Sequence, residues 1–89
     1  MIKHFNIKIY GLVQGVFFRA STKEKADELN LTGFIQNQTD GSVYIETEGE
    51  ENNLNKFLEW CNQGPLMAKV EKIEVSKDAL KNFSHFKIS

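Results

Sequence analysis

The first apolar residues of the chain alternate with polar ones. Phe5, Ile7 and Ile9 fall on one side, and Asn6, Lys8 and Tyr10 on the other. A period of two over residues 5–9 predicts a strand with one face buried. The spacing then changes. Phe18, Thr22, Ala26 and Leu29 share one helical stripe, with Lys23, Glu24, Asp27 and Glu28 off it, so a helix is expected over 18–29. Asn30, Leu31, Thr32 and Gly33 end that helix, the glycine supplying the stop. Two strand-like runs follow over 34–38 and 42–47, joined around Thr39, Asp40 and Gly41. Asp-Gly between extended runs signals a hairpin, because the turn needs positive φ and these residues tolerate it. Gly49 is expected to close the second run. Leu54, Phe57, Leu58 and Cys61 recur at i, i+3, i+4 and i+7, which predicts a second amphipathic helix over 50–62, broken by Gly64 and Pro65. Residues 70–75 read as another strand, 76–82 as a polar turn and 83–88 as a short last strand.

The order strand, helix, strand, strand, helix, strand predicts an α+β fold, the ferredoxin-like βαββαβ sandwich. Its antiparallel four-stranded sheet, plus a short fifth strand, carries two helices on one face. With 89 residues there is room for one core, so 1–89 reads as a single domain. This fold hosts RNA binders, metallochaperones, regulatory modules and enzymes, and only a site can choose among them.

Charge narrows the choice. Eleven basic residues stand against 12 acidic ones, a net charge of −1, which lacks the basic excess of a nucleic-acid binder. Any anion must therefore be held by individually placed donors. Phe5, Phe34, Phe57 and Phe86 read as core, not as base-stacking platforms, and Trp60 as cover for the core edge. Glu46, Glu48, Glu50 and Glu51 read as a solvated face, and His4 and His85 as solvated strand histidines. Cys61, the only cysteine, sits on the stripe of the second helix and reads as a packing residue. A lone cysteine allows no intrachain disulfide and no cysteine-rich zinc site, which suits a reducing cytoplasm. The N-terminal residues lack the apolar stretch of a signal peptide, and nothing approaches a membrane span. A soluble, cytoplasmic monomer is expected, with no membrane or nucleic-acid partner.

The candidate chemistry lies in one run, Val13-Gln14-Gly15-Val16-Phe17-Phe18-Arg19, between the first strand and the first helix. The first N–H groups of a helix lack intrahelical partners, and its dipole favours negative charge there. Glycines let a loop turn N–H groups inward around an anion, and an arginine in the first turn adds a planar, permanently charged fork. The run could equally hold turn glycines and a surface ion-pair arginine, and local physics leaves the two readings level. It is not a Walker P-loop, since the closing Gly-Lys-Ser/Thr is missing.

The stretch from Ile9 to Arg19 resembles the first signature of the acylphosphatases. Gly33-Phe34-Ile35-Gln36-Asn37, continued through Gly41, Val43 and Gly49, is similar to their second, and Gly64-Pro65 and Val70-Glu71-Lys72-Ile73 resemble later segments in the right order. Ile35 stands where valine or alanine is more usual, and Phe17 occupies a variable position. The resemblance covers nearly the whole chain, at about the length of a stand-alone family member. It implies metal-free, cofactor-free hydrolysis of acyl phosphates to a carboxylate and inorganic phosphate. Arg19 would bind the phosphate and Asn37 orient the water. The loop amides of Gly11, Leu12, Val13, Gln14, Gly15, Val16, Phe17 and Phe18 would complete the phosphate site. The alternatives are a non-catalytic module that binds acyl phosphate or carbamoyl phosphate, as such domains do within larger maturation proteins, and an RNA-binding or interaction domain of the same fold.

Overall fold

The alternation at the start of the chain runs beyond its apolar residues. In the computed structural model, which describes residues Met1–Ser89, strand β1 spans Ile2–Leu12. It is followed by helix α1 (Phe18–Glu28), β2 (Thr32–Asn37), β3 (Val43–Glu50), α2 (Glu51–Gln63), β4 (Lys69–Asp78) and β5 (Phe86–Ile88). The strands form one sheet in the order β4-β1-β3-β2-β5. The first four pair antiparallel, with Ile7 opposite both Ile45 and Val75, and Ile35 opposite Ile45. The short β5 lies parallel to β2. This is the expected βαββαβ sandwich.

One face of the sheet and both helices share a single core. Phe5, Ile7, Ile9, Ile35, Val43 and Ile45 meet Phe18 and Ala26 of α1 and Leu54, Phe57 and Cys61 of α2. Fully burying a side chain of this size contributes about 2 kcal/mol, so these residues fix how the helices sit on the sheet. Cys61 is wholly buried, as its place on the stripe indicates, and burial raises its thiol pKa.

Three local expectations need correction. The first helix is stopped by Asn30, which takes the left-handed conformation (φ 57), while Gly33 lies inside β2. There a Cβ would fall 1.9 Å from the Glu46 carbonyl oxygen, so the glycine serves strand approach and not helix termination. Gly49 does not close β3 but lies within it. Phe34 belongs to the opposite face of the sheet, half-buried against Tyr44 and Phe83.

The largest correction concerns that opposite face. The region read as a polar turn is partly strand, since β4 continues to Asp78. Residues 79–85 then lead from β4 at one edge to β5 at the other, passing over the outer face. Beneath them His4, Glu46 and Glu48 are buried, not solvated. The Glu48 carboxylate accepts from the backbone N–H groups of Lys81, Asn82 (3.0 Å) and Phe83 (3.4 Å), and lies 2.7 Å from His4 Nδ1. His4 Nε2 faces Asn6 Oδ1 at 2.7 Å and Glu46 Oε1 at 3.2 Å, and Lys81 Nζ donates to Glu46 at 2.7 Å. His85 is exposed, as expected, but precedes β5 instead of lying on a strand.

Candidate active site

The loop between β1 and α1 is shaped by two buried anchors. Val13 at its start and Phe18 at its end are each 1% exposed. Phe18 packs on Trp60 with ring centroids 5.9 Å apart. Between them Gly15 (φ 73) and Phe17 (φ 62) both turn through the left-handed region. Phe17 caps α1, and its carbonyl accepts from Ser21 N–H at 3.0 Å. From Gln14 to Phe17 no backbone N–H donates to another backbone carbonyl, which leaves a run of free donors at a helix start.

Arg19 follows in the first turn of α1. It takes part in none of the chain's ion pairs. Its Nη1 donates to the main-chain oxygen of Ser89 at 3.1 Å. No side-chain carboxylate holds the guanidinium, whose polar contact is with the last residue of the chain. Asn37, the last residue of β2, pairs with Val43. The sheet order and the position of α1 bring it to the same place. Val13, Gly15, Phe17, Phe18, Arg19, Ala20, Asn37 and Ile88 line one open cavity of about 340 Å³. That is the low end for ligand sites and suits a small phosphorylated molecule.

The remaining loop residues are placed differently. Gly11 and Leu12 belong to β1, opposite Val70 and Lys69, beyond a register shift at Tyr10/Gly11. A Cβ on Gly11 would lie 2.1 Å from the Lys69 carbonyl oxygen, so this glycine serves strand approach. Val16 turns inward against the core. Gln14 reaches away from the cavity to the β2–β3 turn. Within that turn Asp40 accepts from Ser42 and pairs with Lys8 at 3.1 Å. The Ser42 hydroxyl, the Ser42 N–H and Lys8 together hold the Asp40 carboxyl down to about 2. Ala20 and Ile88 were not legible as lining residues, since nothing in the sequence reports that β5 returns beside the loop.

The acylphosphatase family model matches residues 5–88. The chain belongs to the acylphosphatase family. It is 41% identical over 87 residues to an acylphosphatase of Marinobacter nauticus, covering 97% of this chain and 95% of that one. Its fold superposes on the crystal structure of acylphosphatase from Bacillus subtilis with a TM-score of 0.95, at 37% identity, covering 100% of this chain and 99% of that one. It also matches full-length HypF in its phosphate- and nucleotide-bound form, with a TM-score of 0.90 and 32% identity, where it spans 12% of the larger chain. Acylphosphatases are hydrolases acting on acid anhydrides. No cluster of His, Cys, Asp or Glu is arranged to hold a metal ion, and no helix is long and apolar enough to cross a membrane.

Proposed function

We propose that the chain hydrolyses acyl phosphates at the cavity between Arg19 and Asn37, without a metal, releasing a carboxylate and inorganic phosphate. The observation that carries this reading is the meeting of an arginine without an ion pair, free loop N–H groups and a neutral amide at one cavity. The guanidinium and the loop donors suit the three equatorial oxygens of a phosphoryl group, on which charge spreads in the transition state. Of the loop residues named from the sequence, Val13, Gly15, Phe17 and Phe18 line the cavity beside Arg19. Gly11 and Leu12 act through strand pairing instead.

The leaving group is a carboxylate whose conjugate acid has a pKa of about 4, so it departs without a proton. No general acid is needed, and positioning with charge stabilisation carries the rate. An amide is not basic, so Asn37 orients the attacking water through one donor and one acceptor, and the substrate phosphate takes the proton. The buried, lone thiol of Cys61 fits action in a reducing cytoplasm. The chain acts as a monomer on small molecules.

The deciding experiment is hydrolysis of benzoyl phosphate by the purified chain with EDTA present. Activity should persist in EDTA and be lost in Arg19→Ala and Asn37→Ala with circular dichroism unchanged. Competitive inhibition by phosphate should weaken more in the arginine variant. A fully active Arg19→Ala would remove the phosphate-site assignment. The match to part of HypF, solved in a phosphate- and nucleotide-bound form, keeps a second reading in view, a module that binds an acyl or carbamoyl phosphate without turning it over. Phosphate binding with no hydrolysis would establish it.

A further inference from the structure

Phe17 is placed against its own stability. Its backbone sits at φ 62 and ψ 20, where a side chain meets a steric penalty that glycine escapes. Burial does not offset the penalty, because the residue is 80% exposed. Nor does ring packing, since Phe17 joins none of the chain's aromatic pairs. A glycine would satisfy the turn, as Gly15 does two positions earlier. The folded chain thus holds a strained, solvent-facing aromatic at the rim of the cavity that contains Arg19 and Asn37. Backbone outliers of this kind gather at active sites and ligand clamps, where the strain is part of the mechanism.

We infer that Phe17 is a specificity-determining residue whose ring receives the acyl group of the substrate and ranks aromatic acyl phosphates above small ones. This rests on the reading of the cavity as an acyl-phosphate site. The phosphate end is identical in every acyl phosphate, so Arg19 and the loop donors cannot tell one acyl group from another. Discrimination falls to whatever borders the anion site. Two large, exposed apolar side chains do so, Phe17 and Ile88, the latter 39% exposed. Only Phe17 offers a free aromatic face, and hydrogen bonding of its carbonyl to Ser21 N–H fixes the residue at the helix start. An aromatic pair is strong enough for roughly a two- to tenfold preference. Because the contact is made in ground and transition states alike, the preference should appear in KM.

The test compares kcat/KM for benzoyl phosphate and acetyl phosphate in the wild-type chain, Phe17→Ala, Phe17→Gly and Phe17→Tyr. Taking the ratio cancels the different intrinsic reactivities of the two substrates and any loss common to both. The benzoyl-to-acetyl ratio should fall about two- to tenfold in the alanine and glycine variants, through KM for benzoyl phosphate, and recover in the tyrosine variant. Phe17→Gly should also raise Tm by about 4 °C as the backbone strain is relieved. Selectivity falling while stability rises is a combination that a structural role would not produce. An unchanged ratio in Phe17→Ala, with wild-type turnover of both substrates, would overturn the role of Phe17 and leave the site reading standing. A wild-type chain that hydrolyses neither substrate would remove both.

Discussion

Gln14 and Ser42 are joined directly across the molecule. The Gln14 Nε2 donates to the Ser42 carbonyl oxygen at 2.8 Å and to that of Gln38 at the same distance. One side-chain amide thereby ties the β1–α1 loop to both ends of the β2–β3 turn, next to Asn37. The contact needs two donors on one nitrogen, which of the uncharged side chains only glutamine and asparagine provide. Gln14→Ala should cost about 2 kcal/mol, near 1 kcal/mol per hydrogen bond, and lower Tm by roughly 10 °C. Gln14→Glu should cost more, because a carboxylate would face two carbonyl oxygens. Both variants should lower kcat/KM through the misplaced loop. Urea melts and acyl-phosphate kinetics on the two variants check the order, and a glutamate variant as stable as wild type would contradict it.

Asn37 and Arg19 line the same cavity, so charge at position 37 is felt by any anion held at position 19. Asn37→Ala should lose about 10²- to 10³-fold in kcat, the usual cost of removing one placed polar group, while phosphate inhibition stays within about threefold. Asn37→Asp should lose as much in kcat and in addition weaken phosphate inhibition by about tenfold, through repulsion between like charges. Inhibition constants for phosphate in the two variants separate water orientation from anion binding.

Gly11 and Gly15 lie in the same motif but answer to different constraints. A Cβ on Gly11 would strike the Lys69 carbonyl at 2.1 Å, whereas one on Gly15 would meet nothing within 4 Å. Gly11→Ala should therefore destabilise by more than about 3 kcal/mol, since backbone must move. Gly15→Ala should cost about 1 kcal/mol, the penalty of a side chain at φ 73, and still fold. Its effect should be on phosphate affinity. Chemical denaturation of the pair tests the distinction.

Much of this arrangement is readable in the sequence, and the unread parts have separate causes. Phe5, Ile7 and Ile9 alternate because β1 has one face on the core, and Leu54, Phe57 and Cys61 repeat at helical spacing because α2 covers it. Local periodicity reports a local partner. His4, Glu46 and Glu48 also alternate with core residues, and by the same logic they should face water. They do not, because residues 79–85 pass over them, and an irregular segment bonding through backbone N–H groups leaves no periodic trace. The meeting of Arg19 with Asn37 is likewise long-range. It depends on β2 sitting beside β3 and on β5 returning at the sheet edge, which motif resemblance could anticipate and spacing could not. The left-handed backbone of Phe17 was hidden for a third reason, since phenylalanine is not a residue that advertises it.

The covered outer face gives the chain an acid-sensitive element. Burial pushes the Glu48 pKa up, but the Lys81 N–H, the His4 side chain and the Phe83 N–H outweigh it, leaving the carboxyl below 4.5. Glu46 behaves alike, its burial outweighed by Lys81, Tyr44 and His4. Tyr44 is pushed up to about 12, by burial and by Glu46, so it stays a neutral donor throughout the acid range. For a carboxylate depressed in the folded state, the stability it contributes is fully present above the unfolded value of 4.5 and is lost as pH falls through the folded value. Wild-type stability should accordingly hold from neutral pH down to about 5 and decline below it. Glu48→Gln should cost about 3 kcal/mol at pH 7, because an amide NH2 would face backbone donors in a buried site. It should also flatten the acid limb, so that the gap between variant and wild type narrows as pH falls below 4.5 and the wild-type carboxyl takes up its proton. Urea midpoints measured at intervals from pH 7 to about pH 3 test both parts. A constant gap between the two proteins across that range would show that Glu48 does not carry the acid response. Catalysis at the opposite face should be unaffected at neutral pH while the variant remains folded, since the network shares no residue with the Arg19 cavity.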